Sequence, residues 1–319
     1  MVLETVIAVA VLTIGIALMT YSSDKAVEHS VKIASALRIS PLVIGLILVS
    51  LGTDLPEIVN SIISCAVGHA DIELGDSLGS VLTQMTLVLG LLPFLAGKFN
   101  VKRKEVLVVG AFAVLPLILA VSIAEKGYFT RINALFLVAS WPVFILLARS
   151  ITAKNAEEKE HVVAHPNESR LHHLRDWTIA ILGFAGVAIG AYAVIQSVIK
   201  ISAVFHISEY IISFFVVAIG TSLPELVVEL IALRKKQYEL AIGDAIGSCL
   251  VDATVSVGIG QFFFPQAVSG ELALITGLYA IFGSIVVILT IALREKVDKK
   301  AGALFISVYL LSYTLLRVI

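Results

Sequence analysis

Asp54, Glu57, Glu225 and Asp252 each lie well inside a long apolar run, and no lysine or arginine sits in the middle of those runs to neutralise them. A carboxylate in such a place costs several kcal/mol unless it is paired, protonated or bound to a metal. Asp54 and Glu57 are three residues apart, so a helix puts them on one face. Ser80 and Gln84 are four apart, as are Ser248 and Asp252, and each pair turns two oxygens to one side. The donors are carboxylates, hydroxyls and an amide, with no His or Cys expected at that depth. Oxygen-only ligation suits hard cations such as Ca²⁺, Mg²⁺ or Na⁺ and disfavours zinc and copper. Four acids without an internal counter-charge need something positive from solution, either metal ions or protons.

The elements that must hold these residues are spanning helices. Hydrophobic residues make up 58% of the 319 and charged residues only 15%, with a mean hydropathy of +0.99, far from the roughly 25% charge of a soluble domain. The 23 basic and 24 acidic residues leave no surplus to bind nucleic acid. Cys65 and Cys249 sit in apolar runs and form neither a disulfide framework nor a zinc spacing. Met1 to Glu4 lacks the basic start of a signal peptide, so the first apolar run reads as a spanning helix. The bilayer core needs about 20 apolar residues per helix. Ten segments meet this, near 3–21, 40–67, 76–97, 104–124, 129–148, 177–199, 207–233, 243–264, 270–293 and 301–318. The loops after spans 1, 3, 5, 7 and 9 carry 19 of the 23 Lys and Arg, and only Lys126, Arg131, Lys200 and Arg317 fall on the other side. The positive-inside rule then places both termini outside and the polar loop 150–176 in the cytoplasm. That loop holds four of the seven histidines, His161, His165, His172 and His173, which read as a solvated linker rather than a metal sensor. The Asn167-Glu168-Ser169 sequon in it is expected to stay unglycosylated.

The chain repeats itself at an offset of 168. Ile39 to Glu57 and Ile207 to Glu225 agree at nine of 19 positions, and Gly75-Asp76-Ser77-Leu78-Gly79-Ser80 faces Gly243-Asp244-Ala245-Ile246-Gly247-Ser248. Five spans per half is an odd number, so the halves enter the membrane from opposite sides, the inverted-topology arrangement of many secondary transporters. The expected fold is therefore all-α and polytopic, with a first five-helix repeat over 1–149 (motif 50–84), the linker 150–176 and a second repeat over 177–319 (motif 218–252). Spans 2 and 7 are expected to break at Gly52-Thr53-Asp54-Leu55-Pro56 and Gly220-Thr221-Ser222-Leu223-Pro224, because proline frees the carbonyl four residues earlier, on Gly52 or Gly220. A freed carbonyl that lines a cavity can coordinate a cation. Asp76 and Asp244 begin spans 3 and 8 in this reading and are expected to cap those helices, with ligation as their second role. Glu229, whose repeat partner is Ser61, is either a ligand or a residue at the aqueous edge. Thr53, Thr221, Ser80 and Ser248 either bond their own helices or join the site.

Gly-Thr-Asp-Leu-Pro-Glu with Gly-Asp-Ser-Leu-Gly-Ser, and Gly-Thr-Ser-Leu-Pro-Glu with Gly-Asp-Ala-Ile-Gly-Ser, resemble the paired alpha-repeats of the cation/calcium exchanger superfamily, especially prokaryotic sodium/calcium exchangers. The resemblance covers nearly the whole chain. It implies an antiporter, not an enzyme, that moves Ca²⁺ against Na⁺ among spans 2, 3, 7 and 8 while spans 1 and 6 slide across that core. It implies Thr53, Glu57 and Ser80 as ligands from the first half and Thr221, Ser222, Glu225, Ser248 and Asp252 from the second, with backbone carbonyls near Ser50 and Ala218. No cofactor and no protein partner is implied; the partners are inorganic cations and the bilayer. Two positions depart from the pattern. Asp54 stands where a small residue is usual, as Ser222 does in its own second half, and Gln84 stands where Asn or Asp is usual. The extra acid tightens divalent binding or serves a transported proton, so a proton-coupled exchanger of Ca²⁺ or another divalent cation is the alternative. A channel fits less well, since the repeat and buried acids suggest an occluded site. An intramembrane aspartyl protease, prompted by Gly75-Asp76 and Gly243-Asp244, is the distant enzyme reading.

Overall fold

The computed structural model describes residues 2–36, 50–101, 103–152, 170–234, 236 and 238–314. Apart from one two-stranded ribbon, its regular structure is helical. Among the described residues, seven helices are long and apolar enough to cross a membrane: Glu4–Ala26, Ala70–Leu95, Val106–Ala124, Leu174–Phe205, Glu209–Arg234, Ala241–Phe263 and Gly270–Arg294. Leu55–Ala66 and Arg131–Leu146 are apolar but shorter, and Lys299–Ser312 closes the described chain. Each of the ten expected segments thus contains a helix. The start of span 2 and the end of span 10 lie outside the described residues, as does most of the linker, His161, His165 and the sequon included.

Helix α1 (Val2–Ala36) and its counterpart α2 (Arg170–Phe205) occupy the same stretch of the chain at the 168-residue offset. They pack closely through small residues. A Cβ on Gly190 would meet the Gly15 carbonyl and Met19, and one on Gly183 would meet Ala26. Their apolar cluster, with Leu12, Met19, Val187 and Val194, is separate from the main core built around Leu78, Leu82, Val121, Phe129, Phe214 and Phe305.

Contacts between connecting segments sort the chain into two groups. The strand Phe99–Asn100 pairs antiparallel with Lys296–Val297, and His29 Nδ1 lies 2.7 Å from Asp176 Oδ1. Tyr128 bridges Ala267, His69 Nδ1 lies 2.8 Å from Glu209 Oε2, and the Ser269 amide donates to Asp71 Oδ1 at 2.7 Å. The first two contacts join segments after spans 1, 3, 5 and 9. The last three join segments after spans 2, 4 and 8 and the first turn of span 7. No contact in this set mixes the groups. At the turn before Lys299–Ser312, Asp298 caps the helix by accepting from the Lys300 and Ala301 amides at 3.1 and 3.0 Å. The Ala301 amide, with Arg294 beside it, holds the Asp298 carboxyl below its usual range.

Two expectations need correction here. Spans 3 and 8 begin earlier than the sequence suggested: the helix through Asp76 starts at Ala70 and the one through Asp244 at Tyr238. Both aspartates are therefore more than a turn inside, buried, and cap nothing. The glycine before Asp76 marks close packing rather than a helix start, since a Cβ on Gly75 would strike the Tyr210 carbonyl. Gly79, one turn on, has the same relation to the Phe214 carbonyl. Gly79→Val should therefore destabilise the protein by about 1–3 kcal/mol, the usual penalty of overpacking, and a detergent-solubilised thermal melt unchanged from wild type would refute this contact.

Candidate cation site

Both expected helix breaks are present and superimpose in conformation. Ser50–Thr53 ends at Asp54, and Leu55–Ala66 resumes with Pro56 in its first turn. Ala218–Thr221 ends at Ser222, and Leu223–Arg234 resumes with Pro224. Asp54 has φ −81° and ψ 11°; Ser222 has φ −80° and ψ 8°. Each carbonyl at the turn is recovered by the same relative partner, Ile58 N to Asp54 O at 3.0 Å and Leu226 N to Ser222 O at 3.3 Å. On the neighbouring helices, one turn in each half widens to π geometry, over Thr83–Val88 and Asp252–Ser256. These wide turns carry Gln84 and Asp252. Single π turns leave carbonyls without helical donors and often mark functional positions. Ser61 shows the effect, since its hydroxyl donates to the Ser256 carbonyl at 2.5 Å.

The breaks bring the acids together. One carboxylate oxygen each from Asp54, Glu57 and Glu225 lies within 4.8 Å of the other two, and all three side chains are buried. Ser80 Oγ lies 3.5 Å from Glu57 Oε1 and 3.3 Å from Thr221 Oγ1. Thr221 Oγ1 in turn donates to Asp76 Oδ1 at 3.0 Å, and Asn60 Nδ2 donates to Asp76 Oδ2 at 2.6 Å. Thus Asp76 orients Thr221 from behind and is itself held by Asn60. Among the described residues, both oxygens of Asp54, Glu225, Glu229 and Asp252 make no hydrogen bond, nor do the Ser222 and Ser248 hydroxyls. Buried polar atoms are normally satisfied, and these oxygens, all hard donors, are of the kind that suits a hard cation. Glu229 is fully buried. Thr53 is buried beside the turn.

Three features differ from expectation. The carbonyl freed on Gly52 accepts the Ser23 hydroxyl of α1 at 3.0 Å, which takes one of its two lone pairs. The Ala218 carbonyl accepts the Ser222 amide at 3.2 Å and the Thr221 hydroxyl at 3.5 Å. Ser50 lies in the short helix before the break. The third concerns sulfur: Cys249 stands at the site, and its thiol donates to Gln84 Oε1 at 3.3 Å. A protonated thiol there serves as a donor to the amide, not as a metal ligand. Asn60 and Glu73 escaped the sequence reading because their repeat partners, Val228 and Ala241, carry no matching chemistry, and Cys249, opposite Val81, was read only as part of an apolar run. Asn60 had one usable signal, its position three residues beyond Glu57 on the same face. Glu73 is buried and accepts the Ser77 hydroxyl at 3.0 Å.

The chain is similar to known proteins along nearly its whole length. The family described as sodium/calcium exchanger protein matches residues 7–149 and again 176–318. The putative antiporter CaxA of Alkalimonas amylolytica is 28% identical over 84% of each chain. The sodium/calcium exchanger MaX1 of Methanosarcina acetivorans is 23% identical, covering 94% of this chain and 95% of its own. The solved structure of the sodium-calcium exchanger NCX_Mj soaked with Na⁺ and Sr²⁺ matches with a TM-score of 0.62 and 25% identity, over 97% of this chain and 98% of that one.

Proposed function

The chain belongs to the sodium/calcium exchanger protein family, and from that premise we propose that it is a secondary antiporter exchanging Ca²⁺ for Na⁺ by alternating access around the Asp54, Glu57 and Glu225 cluster. Its family and structural neighbours are transporters and not enzymes, which removes the protease reading. The protein is an integral, multi-pass membrane protein. We read its architecture as ten spans in two inverted halves. Supporting this are the long helices α1 and α2 at a common offset, the matched turns at Asp54 and Ser222, and the paired π turns. The two groups of loop contacts favour the alternation from which both termini are placed outside and the 150–176 loop in the cytoplasm.

The observation that carries the proposal is the set of buried, unpartnered oxygens at the two helix breaks. Ca²⁺ takes about 6–8 oxygens at about 2.3–2.6 Å in flexible geometry. Glu57, Glu225, Asp54 and Asp252 supply the charge. Ser80, Ser248, Thr53, Thr221 and Ser222 complete the candidate shell, with the Ser50 and Ala218 carbonyls at its edge. Gln84 joins them only after releasing Cys249. Asp244 and Glu229 are the nearest additional acids on the same helices as Ser248 and Glu225. Sodium suits the same hard donors and leaves more easily because it carries half the charge.

Proton coupling is the second reading, favoured by one observation: Asp54 adds a carboxylate where the matched turn carries the Ser222 hydroxyl. Calcium uptake into sodium-loaded proteoliposomes, repeated with only a proton gradient and equal sodium on both sides, separates them. Sodium-driven uptake without a proton-driven component is the expected result. Uptake driven by protons alone would keep the site and replace the coupling ion.

A further inference from the structure

A cleft of about 460 Å³ opens between the basic-end turns of α1 and α2, on the side of the His29–Asp176 contact. Lys25 and Lys32 stand on its α1 wall and Arg175 on its α2 wall, while Ile179 and Leu182 continue it as an apolar surface along α2. The acids there are already engaged. Glu28 accepts Lys25 Nζ at 2.8 Å and Lys32 Nζ at 2.7 Å, and these two cations hold its carboxyl down at about 2, so it stays ionised between them. Asp176 faces His29, with both side chains nearly buried. Three cations, Lys25, Lys32 and the exposed Arg175, face one acid, Glu28, in the lining, which leaves the lining itself positive, while Asp24 stands beside Lys25 and Glu28 outside it. Around the cleft, Tyr21, Trp177, Ile181 and Leu182 are each at least half exposed. Aromatic side chains next to exposed aliphatic ones are typical of the headgroup boundary of a bilayer.

We propose that this cleft binds an anionic phospholipid of the adjacent leaflet, with Lys25, Lys32 and Arg175 around the headgroup phosphate and an acyl chain along Ile179 and Leu182. Charge and shape choose this occupant together. A neutral lipid would leave the cationic surplus uncompensated, and a soluble anion would leave the apolar wall bare. Basic clefts between spanning helices at the cytoplasmic boundary recognise anionic headgroups in this manner. The orientation proposed above enters only in naming the leaflet, which is the cytoplasmic one. The bound lipid bridges α1 and α2, the pair with its own apolar cluster, and so becomes part of that unit.

The test is native mass spectrometry of the full-length protein released from vesicles of phosphatidylcholine and phosphatidylglycerol in equal proportion. The wild type should retain phosphatidylglycerol in preference. Lys25→Ala, Lys32→Ala and Arg175→Ala should each lower that retention about fivefold, the equivalent of about 1 kcal/mol per basic residue near an anionic surface. Phosphatidylcholine adducts should not change. Arg175→Gln, at an exposed position, keeps the test open if a lysine variant fails to fold. Equal retention of the two lipids by the wild type, or undiminished phosphatidylglycerol in Arg175→Gln, overturns the proposal. Displacement of the lipid by inorganic phosphate also overturns it, by making the cleft a simple anion site. None of these readouts involves transport, so they stand apart from the exchanger reading.

Discussion

Glu225→Gln should abolish calcium uptake by proteoliposomes while leaving the protein folded, and Glu57→Gln should do the same. Their carboxylates and that of Asp54 converge within 4.8 Å in a fully buried place. At an effective dielectric constant of about 20, like charges at that spacing repel by about 3–4 kcal/mol per pair. A divalent cation turns that repulsion into attraction. Glutamine keeps the shape but removes the charge, so the empty protein loses a repulsion while the loaded one loses a ligand. The two effects have opposite signs, which separates a binding role from a structural one. In detergent without calcium, either variant should unfold at or above the wild-type temperature. Calcium should raise the wild-type midpoint through preferential binding to the folded state and leave the variants unmoved. Removing one carboxylate from the cation-loaded shell leaves a buried charge undercompensated, at a cost of about 3–5 kcal/mol, which is at least about a hundredfold in affinity. His161→Ala, in the linker, should transport like the wild type. Full transport by both glutamate variants would remove this site from the mechanism.

Much of the site was legible because the repeat supplied an internal comparison. Glu57 with Glu225, and Thr53 with Thr221, stand at equivalent positions inside apolar runs, and the breaks at Pro56 and Pro224 lie where the two glutamates converge. The helix starts at Ala70 and Tyr238 were not legible. Asp71 and Glu73 made the true beginning of one helix look like loop, although Glu73 is buried and Asp71 is bonded to Ser269. Asp76 consequently passed for a cap, when it lies behind Thr221 and is held by Asn60. The π turns have no composition of their own and appear only once a helix must fit its neighbours. The Ser23 bond to the Gly52 carbonyl joins residues 29 apart, and no local pattern announces it. At Asn60, Cys249 and Ser23 the other half carries only apolar Val228, Val81 and Ala191, so the repeat drew no attention to them.

Asp54→Ser should weaken divalent binding at least about tenfold and flatten its pH dependence. The substitution is well posed because Asp54 and Ser222 share one backbone conformation at matched turns. Serine therefore enters a geometry the molecule already uses for serine, and the change reports charge rather than strain. In the wild type both Asp54 oxygens are buried without a hydrogen bond among the described residues, and one stands with the two glutamates. Protons compete with a cation for every carboxylate in its shell, so wild-type calcium affinity should fall as pH falls. The variant has one competing carboxylate fewer and should show a shallower slope. Calcium dependence of uptake, measured across the neutral range under a sodium gradient and then under a proton gradient, reads both consequences. Lower affinity with intact sodium-driven uptake makes Asp54 a ligand that tightens the site beyond what the second half provides. Loss of proton-driven uptake alone makes it the carrier of a coupled proton. Kinetics identical to the wild type at every pH under both gradients would strip Asp54 of either role and leave Glu57, Glu225 and Asp252 to balance the cation.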